Sequence, residues 1–147
     1  MDKTTKIIAY SMLGFVITLL SATIFYICYR YSTEENSIYL EDDNIIIDYF
    51  GFDDRINISE INSISFLEEL PDGGKYGAGI EDNHHIAADA KFETIGKCKA
   101  YIIKTNPCAI LIKTDKNTFL INDEDSSKTS KIYDELLSDI EKSKLNE

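Results

Sequence analysis

KCKAYIIKTNPCAILIKTDKNTFLI, residues 97–121, decides the fold. It holds three short runs rich in apolar and β-branched residues: Lys97–Lys104, Cys108–Thr114 and Asn117–Ile121. Thr105-Asn106-Pro107 and Asp115-Lys116-Asn117 punctuate them. Short apolar runs bounded by such residues read as antiparallel strands. The reading predicts a hairpin of 98–104 with 108–114, in which facing residues sum to about 212. Cys98 then faces Thr114 and Cys108 faces Lys104, too far apart for a disulfide.

The same signal extends toward the N-terminus. Ser37–Leu40 and Asn44–Phe50 (NIIIDYF) flank the turn Glu41-Asp42-Asp43. Arg55–Ser59 (RINIS) and a run containing Ile64 and Phe66 follow, with Asp53-Asp54 as a turn before them. About seven strands at spacings near ten residues predict a mainly-β sandwich or barrel. Toward the C-terminus, Ile132, Tyr133, Leu136, Leu137 and Ile140 recur at helical spacing behind the cap candidates Asp125, Ser126 and Ser127. A helix over 127–143 is predicted to lay that stripe on the open end of the barrel.

The other end of the chain has a different character. Ile7–Tyr29 (IIAYSMLGFVITLLSATIFYICY) carries no charge. As a helix it would reach roughly 34 Å, against a hydrocarbon core of about 30 Å. Ser11, Thr18, Ser21 and Thr23 can return their hydroxyls to the helix backbone. Tyr10, Phe25, Tyr26, Tyr29 and Tyr31 suit the head-group regions. A cleaved signal would have a shorter apolar core ending in small residues. A lipoprotein anchor would need a small residue where Ile27 precedes Cys28, and a buried helix would need a polar face. An uncleaved single-pass anchor in the cell membrane is therefore predicted. Lys3 and Lys6 against Arg30 lean the C-terminal domain to the outside by one residue. The predicted organisation is a tail (1–6), a transmembrane helix (7–29), a linker (30–36), a β domain (37–143) and a second tail (144–147).

From residue 31 onward, 12 cations stand against 25 carboxylates, a formal charge of −13. That excess argues against nucleic-acid binding and against docking on anionic lipid. Phosphoinositide recognition is disfavoured too, since Arg55 is the one cation between residues 31 and 74. Glu34-Glu35 with Glu41-Asp42-Asp43 form an acidic collar that would suit a cationic peptide.

Pro71–Asp89 reads as one long irregular loop holding four of the seven glycines. Its candidate partner-binding residues are Gly73, Gly74, Lys75, Tyr76, Gly77, Gly79, His84 and His85. The glycines lack the spacing and the Gly-Lys-Ser/Thr ending of a phosphate-cradling loop. Adjacent histidines on an extended chain point opposite ways, so His84-His85 makes a poor metal pair. These are the only histidines, and no serine sits on a G-x-S-x-G elbow. The expectation is a non-catalytic chain with no cofactor and no metal.

Leu70-Pro71-Asp72-Gly73-Gly74, the loop glycines Gly77 and Gly79, Lys91-Phe92 and Gly96-Lys97-Cys98-Lys99-Ala100-Tyr101 carry a resemblance. With Ile110–Thr114, Thr118–Ile121 and the terminal helix, they resemble the bacterial pleckstrin-homology-like family of small membrane-anchored proteins. The resemblance runs from about Ser37 to Ile140 and rests on turn chemistry and strand pattern. One departure is Asp82–Ala90 (DNHHIAADA), which has no glycine just before Lys91-Phe92. The family includes sublancin-type bacteriocin immunity proteins. The resemblance thus implies a pleckstrin-homology-like barrel and, as an alternative role, self-immunity against a bacteriocin. The expected function is a membrane-anchored interaction module for a protein or peptide.

Overall fold

A computed structural model describes residues 2–33, 37–49 and 52–145. The chain divides into a helical unit, Met1–Glu34, and a β domain, Glu35–Glu147. The first unit is α1 (Lys3–Thr33). It includes Tyr10–Tyr29, with a mean hydropathy of 2.0 and no residue buried against the rest of the protein. It is long and apolar enough to cross a membrane. Thr18 and Thr23 donate their hydroxyls to the Gly14 and Leu19 carbonyls, each at 2.9 Å, as expected for hydroxyls in an apolar surrounding. Helix continues through residues 30–33, so the expected linker starts later than residue 30; its remainder, 34–36, lies outside the described residues.

The domain begins with β1 (Ser37–Glu41), β2 (Asn44–Tyr49) and β3 (Phe52–Asn57), an antiparallel three-stranded sheet. Asp42 takes a φ of 52° in the first turn, a conformation that aspartate tolerates better than most residues. A 3₁₀ turn, Ile58–Glu60, leads to β4 (Ile61–Leu67). Then come β5 (Lys75–Glu81), β6 (His85–Phe92), β7 (Gly96–Ile103), β8 (Ala109–Thr114), β9 (Thr118–Ile121) and α2 (Ser126–Leu145). The second sheet runs β4-β8-β9-β7-β6-β5.

Three expectations need correction. The domain is two sheets with nine strands, and these do not close into one seven-stranded barrel. The extra strands, β5 and β6, occupy most of the predicted Pro71–Asp89 loop, leaving 71–74 and the 82–84 turn as its irregular parts. The hairpin of 98–104 with 108–114 does not form, because β9 lies between those strands, antiparallel to β8 and parallel to β7.

A buried polar network accounts for that insertion. Asn106, Asn122 and Thr129 are the buried polar residues among those described. Asn122 Oδ1 accepts the Ile103 N–H at 2.6 Å, and its Nδ2 donates to the Ile103, Asn106 and Cys108 carbonyls at 3.0–3.3 Å. Asn106 Nδ2 donates to Thr129 Oγ1 and to the Asp123 carbonyl. The backbone of the β7–β8 connection thus bonds to the Asn122 side chain at β9's end, and the Asn106 side chain ties the connection to α2's start, in place of a tight hairpin.

Alternation places two apolar clusters on opposite faces of the large sheet. Tyr101, Ile103, Ile110, Ile112, Phe119 and Ile121 face the small sheet's Ile45, Ile47 and Ile56 and the helix residues Leu136 and Ile140. Each such side chain contributes roughly 1.5–3 kcal/mol when fully buried. On the other face Ala88, Ala90, Cys98, Ala100, Leu111 and Leu120 cluster, with Leu67 from β4 and Tyr76 from β5 packed against them. Those two come from opposite edge strands, so this cluster spans the width of the sheet. Helix α2 starts where expected, with Asp125 Oδ1 accepting the Lys128 N–H at 2.8 Å. Its stripe covers a sheet face beside β4 and β8, with Tyr133 against Phe66 at 5.5 Å, and caps no barrel end.

Candidate functional site

The candidate residues fall on a β hairpin, and the structure separates them. Gly73, Gly74, Lys75, Tyr76 and Gly77 lie at the start of β5, His84 and His85 at its far turn. Seven extended residues put about 20 Å between the two groups. They do not form one site.

Most of them have structural duties. Tyr76 packs edge-on against Phe92 at 6.1 Å, and burial pushes its phenol pKa up. A Cβ on Gly74 would run into those same two rings. At the far turn, Asp82 Oδ1 accepts the N–H groups of His84 (2.6 Å) and His85 (2.7 Å). The His84 amide, foremost among these contacts, holds the Asp82 carboxyl below the usual aspartate range. Lys104 Nζ donates to Glu81 at 2.8 Å and to the Asp82 carbonyl at 2.6 Å, locking the turn onto β7's end. The His85 ring meets Tyr49 edge-on at 6.4 Å. Among the described residues no three His, Cys, Asp or Glu side chains are grouped to hold a metal. Cys98 is buried, its thiol pushed up to about 11 by burial, while Cys108 is half-buried near the Glu68 carbonyl. The two remain free thiols.

What the sequence did not reveal is the neighbourhood of Gly79. Strand β5 is the outer strand of the large sheet, with no strand on its far side among the described residues. Its pairing with β6 is interrupted between Tyr76 and Gly79. Beside it opens a slot of about 270 Å³ lined by Phe52, Ala78, Gly79, Ala87, Asp89 and Tyr101. Phe52 is 37% exposed at its rim, an apolar side chain left facing solvent. The floor is rigid: Asp54 accepts both Lys99 Nζ, at 2.9 Å, and the Tyr101 hydroxyl, tying β3 to β7. Burial, with that hydrogen bond, raises the Tyr101 phenol pKa, so it remains a neutral donor.

The surroundings are acidic. Asp48 of β2 faces Asp53 of β3 beside Phe52, whereas exposed Glu41, Asp42 and Asp43 lie at the β1–β2 turn, at the opposite end of the small sheet. Glu34 and Glu35, the rest of the expected collar, lie outside the described residues. The outer edge of β5, with no strand beside it among the described residues, thus lies next to an apolar slot and the Asp48–Asp53 pair. Comparison with protein-family models, with curated proteins and with solved structures finds no match for this chain.

Proposed function

We propose that this chain is a single-pass membrane protein whose β domain binds an extended cationic peptide segment by strand addition to β5, without catalysis. The observation that carries the reading is the free edge of β5 beside the Phe52–Ala78–Ala87 slot. An added strand gains main-chain hydrogen bonds from such an edge, and alternate side chains give specificity by entering pockets. The formal charge of −13 from residue 31 onward draws cationic partners. The interruption before Gly79 limits the usable edge to its second half, which discourages pairing of β5 with copies of itself. A bacteriocin would be one such peptide, which is how the self-immunity role implied by the family resemblance would fit.

Helix α1 supplies the tether in this reading. An all-round apolar helix needs an apolar solvent. The full chain is expected to stay with the membrane pellet through a sodium carbonate wash and to retain its first residues on N-terminal sequencing. Release into the wash, or a product beginning beyond Tyr29, contradicts the anchor.

Docking is tested with a display library of random decapeptides selected against the full chain in uncharged detergent micelles. Recovered binders should alternate one apolar residue with Lys or Arg. Ala78→Arg fills the slot with a like charge and should weaken them at least about tenfold, the loss of one well-filled contact. Binders without that pattern, or binding unaffected by Ala78→Arg, contradict the reading.

A further inference from the structure

Three lysines stand in one cross-strand row. Lys75 pairs with Lys91, and Lys91 with Lys97, on the adjacent strands β5, β6 and β7. Directly opposed residues share a face, with Cβ atoms about 5 Å apart, and like charges placed so repel. Among the described residues none of the three side chains has an ion pair or hydrogen bond. Every other cation of the domain with a described side chain, Lys113 excepted, has an acidic partner. In a domain with twice as many carboxylates as cations, three neighbouring lysines without one are a marked departure from the rest of its surface.

The row borders a cavity of about 670 Å³ between these strand ends and the β8–β9 turn. That volume falls in the range of small-molecule sites. Lys116 joins from the turn, while Asp89 and Asp115 also line it, so four ammonium groups meet two carboxylates. Lys116 is engaged by Glu60 at 3.2 Å, and Asp115 accepts from Asn62 at 2.6 Å. Half-buried Tyr76, with Ala90 and Cys98, also lines it.

We propose that this cavity binds a small polyanion, a phosphate ester or pyrophosphate with two or more negative charges, through Lys75, Lys91 and Lys97. Ammonium groups are compact point charges that suit phosphate oxygens, and one bridging anion would turn mutual repulsion into shared attraction. The site adjoins the peptide-docking slot, with which it shares Asp89, but its lysines lie on the first half of β5 and its neighbours while docking uses the later part of β5.

Inorganic pyrophosphate is the probe, titrated into the full chain in uncharged detergent micelles and followed by calorimetry and thermal unfolding. Saturable binding is expected, weakening as salt rises. Lys91→Gln should lower the affinity about tenfold, one charge-assisted contact, while raising the melting temperature of the ligand-free protein. Asp89→Asn should tighten binding a few-fold, and Lys131→Gln on α2 should leave it unchanged. Nanodiscs identify the source of the phosphate. If phosphatidic acid weakens pyrophosphate binding relative to phosphatidylcholine, a lipid head group occupies the site, and equal binding in both assigns it to a soluble ester. Absence of saturable binding, or equal losses in Lys91→Gln and Lys131→Gln, overturns the proposal.

Discussion

Replacing Gly79 with alanine is expected to destabilise the domain by about 3 kcal/mol and to loosen β5 from β6. Gly79 has a φ of 142°, a conformation closed to L side chains without strain. A Cβ there would overlap the Ala87 carbonyl oxygen and the Ala88 Cα. Backbone cannot swing aside as a flexible side chain can, so the strand must move. Gly77→Ala is the matched control. Its Cβ would sit 3.5 Å from the Asp89 carbonyl oxygen, an ordinary contact, at no positive φ. Urea unfolding of both variants checks the difference: a large loss for Gly79→Ala and a small change for Gly77→Ala. Because the cost falls on the edge strand, early proteolysis within 75–81 should accompany the Gly79 loss. Equal stability of the two variants would mean that β5 does not approach β6 as described.

Asn122→Leu should cost about 4 kcal/mol despite keeping the side-chain volume nearly constant. Leucine would leave the Ile103 N–H without its acceptor and the Asn106 and Cys108 carbonyls without their donor. Buried polar groups stranded this way cost about 1–3 kcal/mol each. The parallel β7–β9 pairing ends beside this residue, whose own N–H donates to the Tyr101 carbonyl at 3.1 Å. Asn122→Asp should be no milder, since a carboxylate can still accept from Ile103 but cannot donate to the carbonyls. Thermal unfolding followed by near-ultraviolet dichroism reads both variants. A melting temperature within two or three degrees of the parent for Asn122→Leu would contradict the network.

The legible parts of this sequence were those where one residue type repeats the period of its element. The uncharged span of α1, the stripe Ile132–Leu136–Ile140 of α2, and the isoleucines of β2 and β8 all carried that signal. Strand β6 alternates just as regularly, but through Ala88 and Ala90, whose small side chains give little hydrophobic contrast. Strand β5 hides further, because Gly77 and Gly79 ordinarily mark turns, and here Gly79 serves close approach between strands. The insertion of β9 was concealed in Asn106 and Asn122. Asn106 beside a proline reads as turn chemistry, and only long-range contacts make the pair a structural hub. The same limit applies to function. Phe52, Ala78 and Tyr101 lie on three strands, as do Lys75, Lys91 and Lys97, so each group exists only once the register is set.

Hydrogen exchange of the full chain in micelles, with and without a selected cationic peptide at saturation, tests the docking edge most directly. Protection gained at 78–81 within β5, and little elsewhere on the domain, is the predicted result. Protection gained along β1 or α2 instead, with β5 exchanging as fast as in the free protein, would contradict it.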